Sequence, residues 1–315
     1  MRLAAGMIIG PVIDDWISAG MNMEPAIANT DAVTGEFIDR MGERYYVIRN
    51  VDRMAPFFIS LVSNSDHWLF ISSTGALTAG RVSPETALFP YITVDKIHNS
   101  AADTGSKTLL RVENDGGQCD WEPFNLEHNG RYRTSRHLYK NTLGNKLCFE
   151  EINHDLQLVF EYTWVTSEVY GFSRQCRSSN LTGRSDRIAI VDGIQNLLPA
   201  GTPLLAQTTK SNLVDAYKWS ELDEATGLAF FTLFSGISDR AEPCESLKAT
   251  TVFSLGLENP VVLLSSKQLE SFRQGRPLTR ETRRRGIRGA YFVNASLEMA
   301  PGASREWQLL SLIHI

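Results

Sequence analysis

The clearest hydrophobic pattern in the chain is the stretch 146–165, which reads KLCFEEINHDLQLVFEYTWV. In its second half apolar residues alternate with others, and one side of the run carries Leu156, Leu158, Phe160, Tyr162 and Trp164. This period of two is typical of a β-strand that packs one face on a core. The other side mixes glutamine, glutamate and threonine with two valines, so it faces water in part or covers a second layer. Residues 146–152 form a second run, and the intervening Asn153-His154-Asp155 favours a turn, which predicts a long antiparallel hairpin.

Shorter runs of the same kind recur along the chain, whereas helical patterns are few. The predicted strands outside the hairpin lie at 44–50, 57–62, 67–72, 107–112, 167–172, 187–192, 228–234, 249–255, 261–264 and 290–294. Helices are predicted at 211–221 and, more clearly, at 265–273, which is followed by the helix-ending Gly275 and Pro277. Residues 73–106 are rich in glycine, serine, threonine and proline and predict a long loop. This order predicts an all-β fold, a large antiparallel β-sandwich with a few short helices.

The boundaries of this domain are predicted at 23 and 309. No shift of composition marks a linker between these positions, so 23–309 is expected to be one domain. Residues 1–22 are expected to be a poorly structured N-terminal extension, or to precede a true start at Met21 or Met23. Residues 310–315 read LSLIHI, which one reading frame of a common transposon-based sequencing adapter encodes. We therefore expect 310–315 to be a non-native tail and the natural chain to be longer.

Composition excludes several classes of function. The formal net charge of -5 argues against a nucleic-acid partner, which favours a basic surface. No apolar run approaches the ~20 residues of a membrane-spanning helix, so no membrane contact is expected. Isolated thiols are typical of a reducing compartment, which predicts a cytoplasmic protein. The sequence also lacks the common hydrolase, zinc-protease and nucleotide-binding motifs, and we expect neither a metal nor a cofactor. The cysteines, which form no Cys-x-x-Cys motif, are Cys119, Cys148, Cys176 and Cys244.

Segments that combine polar and aromatic residues are the best candidates for a binding site. Asp66-His67-Trp68 and residues 72–81 bracket one predicted strand, and Trp121-Glu122 follows a later one. Sugar recognition needs an apolar ring face beneath the sugar and fixed donors and acceptors around it. The alternative is that Trp68 and Trp121 only fill the core. The sequence predicts a sugar site whose substrate-binding residues are Trp68, Thr74, Gly75, Arg81, Trp121 and Glu122.

Two charged features are interpreted as structural. Glu150 and Glu151 are adjacent on a predicted strand, so their side chains face opposite sides and cannot act together on one substrate. We interpret them as a solvated strand edge, and the alternative is that one of them is functional. The basic cluster at 280–288 is interpreted as a solvated loop or a contact to a neighbouring domain or subunit.

Several of these segments together resemble a known family. The runs FFISLVSNSDHWLFISSTGALTAGR, WEPF, LYKNTLGNKLCFEEINHDLQLVFEYTW and VDGIQNLLPAG resemble the N-terminal domain of cellobiose-phosphorylase-like enzymes, within the glycoside phosphorylase and cyclic glucan synthase group. Ser73-Thr74-Gly75-Ala76 is similar to a Ser-Asn-Thr-Gly-Gly loop that lies near the active site in that family. Trp121-Glu122-Pro123 is similar to its Trp-x-Pro element. The departures are Ala76 in place of the second glycine and an unusual spacing between Arg81 and Trp121.

The resemblance implies a galactose-mutarotase-like β-supersandwich that precedes an (α/α) barrel, and in the family the barrel carries catalysis. It implies that this chain holds no catalytic residue and shapes one wall of a sugar site. The implied partners are an oligosaccharide or glucoside substrate, the barrel, and a second copy in a homodimer. The whole enzyme would act on a β-glucoside, and the choice between phosphorolysis and hydrolysis stays open.

Two other interpretations stay open. A self-contained sugar epimerase of the mutarotase type requires a histidine and a carboxylate that face each other across a bound sugar. The residues that could supply them are His67, His98, His137 and Glu151. A carbohydrate-binding module without chemistry would need only ring stacking and hydrogen bonds.

Overall fold

Strands dominate the computed structural model, which describes residues 32–114, 117–236 and 248–313. The strands are β1 Thr34–Arg40, β2 Glu43–Arg49, β3 Phe58–Leu61, β4 His67–Ser72, β5 Leu77–Arg81, β6 Ala87–Phe89, β7 Gly105–Asn114, β8 Gly117–Trp121, β9 Thr134–Asn141, β10 Lys146–Asn153, β11 Leu158–Ser167, β12 Gly171–Asn180, β13 Asp186–Leu197, β14 Lys218–Asp223, β15 Leu228–Leu233, β16 Thr250–Leu255, β17 Val261–Leu263, β18 Arg283–Arg285, β19 Gly289–Met299 and β20 Ser304–Ile313. The α-helices are α1 Leu204–Thr209, α2 Ser211–Tyr217 and α3 Leu269–Arg273. Single 3-10 turns lie at Val51–Arg53, Pro84–Thr86, Ile97–Ser100, Leu126–His128 and Ser266–Gln268. No helix in these segments is long and apolar enough to cross a membrane.

The strands form three antiparallel sheets, which confirms the predicted all-β sandwich with few short helices. The largest sheet has eleven strands in the order β1-β2-β9-β10-β11-β12-β20-β16-β15-β14-β18. A five-stranded sheet has the order β17-β19-β13-β7-β8, and a four-stranded sheet has the order β3-β4-β5-β6. Side chains of all three sheets meet in one core, as Phe160 of the largest, Ile190 of the second and Leu69 of the third show.

The predicted hairpin is strands β10 and β11 at the middle of the largest sheet. Its register runs from Lys146 opposite Val165 to Asn153 opposite Leu158. The side chains that the alternation assigned to the core are no more than 2% exposed from Leu158 to Trp164. Full burial stabilises each such side chain by about 1.5–3 kcal/mol, so this face anchors the sheet.

The structure differs from the sequence predictions in several places. The helix predicted at 211–221 ends at Tyr217, and β14 begins at Lys218. Glu150 and Glu151 are not a solvated strand edge but are largely buried, because β10 lies inside the largest sheet. The long loop predicted at 73–106 contains β5 and β6. Their alanine and glycine residues are not typical of strands, but they are buried in the four-stranded sheet. The strand predicted at 167–172 begins at Gly171 instead. The strand predicted at 187–192 is longer than expected and continues to Leu197. Residues 310–313, which we expect to be a non-native tail, form the end of β20 between β12 and β16. The expected extension at 1–22 lies outside the described residues.

Candidate functional site

A cleft of about 240 Å³ opens between the loop after β4 and the loop after β8. Two aromatic side chains, Phe124 and Tyr162, line it together with polar groups. The polar side chains include Thr74, His98, Asn99, Lys107, Glu122 and Asn125. The cleft therefore combines aromatic surface with several donors and acceptors, which is the composition of a site for a small polar ligand.

One wall of the cleft is the loop that follows β4. Ser72 is completely buried, and its hydroxyl lies 2.8 Å from the Thr74 hydroxyl and 2.7 Å from Nδ1 of His98. The Thr74 backbone N–H also donates to the Ser72 hydroxyl at 3.1 Å. Gly75 has a φ of +88°, and a Cβ atom there would lie 3.0 Å from the Tyr162 hydroxyl. The turn therefore requires glycine, and Ser72 holds both Thr74 and His98 in place.

The opposite wall is the segment Trp121–Asn125, which Glu151 anchors from below. Glu151 on β10 is 1% exposed. Its carboxylate accepts the Trp121 indole N–H at 3.0 Å and the Phe124 backbone N–H at 2.7 Å. Nε of Arg136 donates to it at 2.6 Å. These bonds pair the buried carboxylate with a cation and fix the path of the wall.

Aromatic rings form the floor. Tyr162 stacks on Phe149 at a centroid distance of 5.0 Å and meets Phe124 edge to face at 5.2 Å. The Arg174 guanidinium lies 4.6 Å from the Tyr162 ring centroid. Asp192, which is completely buried, pairs with Arg174 at 2.8 Å. Burial raises the pKa of Tyr162, so its hydroxyl stays neutral at the base of the cleft.

Glu122 is the most heavily bonded group in the cleft. Arg273 on α3 donates to both its oxygens, at 2.5 and 3.1 Å, and Asn125 donates at 2.9 Å. Nζ of Lys107 lies 3.8 Å away, beyond hydrogen-bond range. Burial by itself would raise the pKa of Glu122. The hydrogen bond and charge of Arg273, with help from Lys107 and Asn125, outweigh burial and hold this pKa below its usual range. The carboxylate is therefore ionised.

The structure brings together part of the predicted sugar site. Thr74, Gly75 and Glu122 line the cleft. Trp121 is 2% exposed and turns its ring into the core. Trp68 and Arg81 lie on β4 and β5 of the four-stranded sheet, outside the cleft, where Trp68 packs against Phe70 and Tyr91.

Sequence reasoning missed several residues of the cleft. Phe124 and Asn125 directly follow the Trp-x-Pro segment, so continuing that segment would have found them. His98 lies in a stretch without periodicity, and Tyr162 was assigned only to the core. No local pattern marks Lys107, which is one position of a regular strand.

The histidines considered for epimerase chemistry are dispersed. His98 lines the cleft, whereas His67 lies against Phe172, with its ring 2.9 Å from the Ser65 hydroxyl. His137 accepts the Asn50 backbone N–H at Nδ1, and burial together with the Arg49 charge lowers its pKa to about 4. Glu151 is committed to its three donors. The segments that the structure describes contain no group of three or more side chains able to hold a metal ion.

Comparisons with known proteins return weak structural likenesses. No protein-family model and no curated protein matches the sequence. The Slr1438 protein from Synechocystis sp. PCC 6803 has a TM-score of 0.45 and 10% identity over 82% of this chain and 96% of its own. The GalM/aldose epimerase homologue from C. elegans has a TM-score of 0.46 and 12% identity over 82% of this chain and 99% of its own. A bacterial glucoamylase complexed with acarbose has a TM-score of 0.38 and 8% identity over 81% of this chain and 35% of its own. At these values the likenesses assign neither family nor activity.

Proposed function

We propose that the cleft binds one sugar unit of an oligosaccharide or glucoside. The observation that carries this proposal is the convergence of the Phe124 and Tyr162 rings with His98 and Glu122, which Ser72 and Arg273 hold by hydrogen bonds. Sugars present both apolar ring faces and hydroxyl groups, so they match such a surface. The volume of about 240 Å³ is below the ~300–1,000 Å³ of typical drug-sized sites, which suits a single ring.

We further propose that the chain is the N-terminal β-supersandwich of a larger enzyme of the glycoside phosphorylase or hydrolase type. In this proposal the chain shapes one wall of a β-glucoside site, and an (α/α) barrel supplies the catalytic acid. The support is the position of the Ser73–Ala76 loop and the Trp121–Pro123 segment, whose sequences resemble that family, on the two walls of one cleft.

An apolar groove of about 350 Å³ supports a contact with such a barrel. Its walls include Phe37 and Tyr46 on one side and Phe57 and Ile59 on the other. Phe37 is 56% exposed and Tyr46 is 41% exposed. Surfaces of this kind commonly mark contacts between domains. We expect a hydrophobic dye to bind the chain and Phe37→Ser to reduce its fluorescence, whereas Val82→Ser, which lies outside the groove, does not.

The sugar site is tested by calorimetric titration with cellobiose and related oligosaccharides. Lys107→Met keeps the length of the side chain and removes its ammonium group. We expect it to weaken binding by about tenfold, because a hydrogen bond to a charged group contributes ~1.5–3 kcal/mol. Lys210→Met, an exposed change between α1 and α2, is the matched control. Absence of binding, or equal affinities for the two variants, would contradict the proposal.

One observation favours epimerase chemistry as a second candidate. The hydrogen bond between Ser72 and Nδ1 orients His98 and leaves Nε2 to face a ligand. If the chain exchanges sugar anomers, proton NMR will detect the exchange, and His98→Asn will abolish it while His154→Asn will not. Sugar binding without anomer exchange would contradict the epimerase function and support the binding function.

A further inference from the structure

The largest sheet curls back on itself at its β1 end. Four steps separate β1 from β11 in the strand order, which in a flat sheet corresponds to ~19 Å. Nη2 of Arg40 on β1 nevertheless lies 2.5 Å from Oε2 of Glu161 on β11. The curl explains why Val47 and Tyr139 are buried in a small cluster separate from the main core. Arg40 closes this curl, and its guanidinium lies 4.5 Å from the Tyr139 ring centroid.

Inside the mouth of the curl two glutamates stand directly opposite each other. Glu150 on β10 and Glu161 on β11 are register partners in antiparallel strands, and Nη2 of Arg40 lies within 4.0 Å of both carboxyl groups. Their side chains are only 14% and 8% exposed. The Tyr139 hydroxyl donates to Glu150 at 2.7 Å. Side chains directly opposite each other in an antiparallel pair of strands have Cβ atoms ~5 Å apart, and two like charges held that close favour the retention of one proton.

The balance of charges around the two glutamates also favours one bound proton. Besides Arg40, Arg177 on β12 lies 3.9 Å from Glu161 and 3.7 Å from Glu306 on β20. Three carboxyl groups therefore face two guanidinium groups, and one proton makes the set neutral. Of the other ionisable groups on this face, Glu43 pairs with Lys146, so together they add no net charge. Cys148 stays neutral because burial raises its pKa to about 12, His137 stays neutral near pH 7 as described above, and Arg49 pairs with Glu36.

We propose that Glu150 and Glu161 share one proton and that this proton, with Arg40, forms a pH-sensitive clasp that holds the curled end of the sheet closed. Loss of the proton leaves two negative carboxylates in contact within a largely buried site. Their repulsion opposes the pairing of β10 with β11 and the closure of β1 over them.

The direction of the pH dependence follows from proton linkage. Burial and the charge of Glu161 raise the pKa of Glu150 from 4.5 to about 7. Between these values the folded chain binds a proton that the unfolded chain has released, so stability is full below about pH 4.5 and falls as pH rises toward 7. By itself this proton makes the unfolding equilibrium constant rise by up to about tenfold per pH unit in this range, whereas His137, whose pKa is lowered to about 4, acts in the opposite direction between pH 4 and 6.5.

Urea unfolding of the full chain at a series of pH values tests the clasp. Glu150→Gln supplies a permanent N–H donor and does not titrate, so the ratio of the native unfolding constant to that of the variant should rise by up to about tenfold per pH unit between pH 4.5 and 7. Glu43→Gln is the matched control, because Glu43 belongs to the same region but is bonded to Lys146 and should leave the slope unchanged. Equal slopes in the native chain and Glu150→Gln would overturn the proposal.

A direct observation of the proton covers the case in which a variant does not fold. Infrared spectra of the native chain at pH 6 should show the stretching band of a protonated carboxyl group, and this band should disappear as pH is raised above 7. In Arg40→Gln the band should persist to higher pH, because a neighbouring cation has been removed, and amide hydrogen exchange in β1 should accelerate. A native spectrum without this band at pH 6 would overturn the shared proton.

Discussion

Glu150 and Glu151 are neighbours on β10, yet they occupy opposite faces of the largest sheet and have different surroundings. Glu151 points inward, where Arg136, Trp121 and the Phe124 backbone all donate to it. Glu150 points into the curled outer face, where Glu161 lies directly opposite it on β11. The inner glutamate supports one wall of the cleft, whereas the outer one lies in a cluster with an excess of acid. Alternation of side chains along a strand thus assigns two identical residues to a structural and a titrating role.

The difference shows that the neighbouring donors and acids, rather than burial alone, determine the role of a buried carboxyl group. Both glutamates are largely buried, and burial disfavours the charged form of each. Glu151 accepts hydrogen bonds from three donors, one of which is a guanidinium. Glu150 is opposite another acid, and burial together with the charge of Glu161 raises its pKa to about 7.

The largest effect is expected from Glu151→Ala. It removes one partner of a buried ion pair and leaves the Trp121 and Phe124 donors unsatisfied, so the free energy of unfolding should fall by about 3–5 kcal/mol. Glu150→Ala at pH 6 is the matched neighbour and should cost less, because it leaves no buried cation without a partner. Urea unfolding measures both. Equal losses of unfolding free energy in Glu151→Ala and Glu150→Ala would contradict the difference between the two faces.

A smaller effect is expected from His137, the register partner of Glu150 on β9. Its folded pKa of about 4 lies below the ordinary value of 6.5, so the unfolded chain binds the proton first as pH falls. Its contribution, about 1–3 kcal/mol, is present above pH 6.5 and is lost as pH falls through 4. Between pH 4.5 and 6.5 this contribution opposes that of Glu150, so His137→Gln should make the decline of stability with rising pH steeper than in the native chain. An unchanged pH profile in this variant would contradict the contribution of His137.

The smallest effect on stability is expected from Gly75→Ala, at about 1–2 kcal/mol, because alanine is strained at a positive φ. Gly130→Ala is matched in backbone, with a φ of +85°, but has open space where the Cβ would lie. Both variants should lose similar stability by urea unfolding. Calorimetry should show weaker sugar binding only for Gly75→Ala, because its Cβ pushes against the Tyr162 hydroxyl. Equal affinities would place the sugar away from this wall.

The sequence predicts the loops of the site better than its aromatic surface. Thr74, Gly75 and Glu122 lie in turn-forming or strand-ending segments, where polar residues need partners and stand out from the alternation. Trp68 and Trp121 were expected to stack on a sugar because both are large and near polar loops. Packing decided otherwise: the Trp121 ring fills the core, and Phe124 and Tyr162 line the cleft instead. The size of an aromatic side chain does not show whether it fills the core or lines a cleft, because that depends on how its neighbours pack.

The sequence by itself determined the all-β class, the β10–β11 hairpin and the opposite faces of Glu150 and Glu151, because these depend on a period of two that operates between adjacent residues. Only the tertiary structure decided which polar groups meet. Arg40 and Glu161 are 121 residues apart in the chain, and Glu122 and Arg273 are 151 apart. Such contacts arise from the curl of the sheet and the order of its strands, and no local pattern encodes the distance at which two separate segments are brought together.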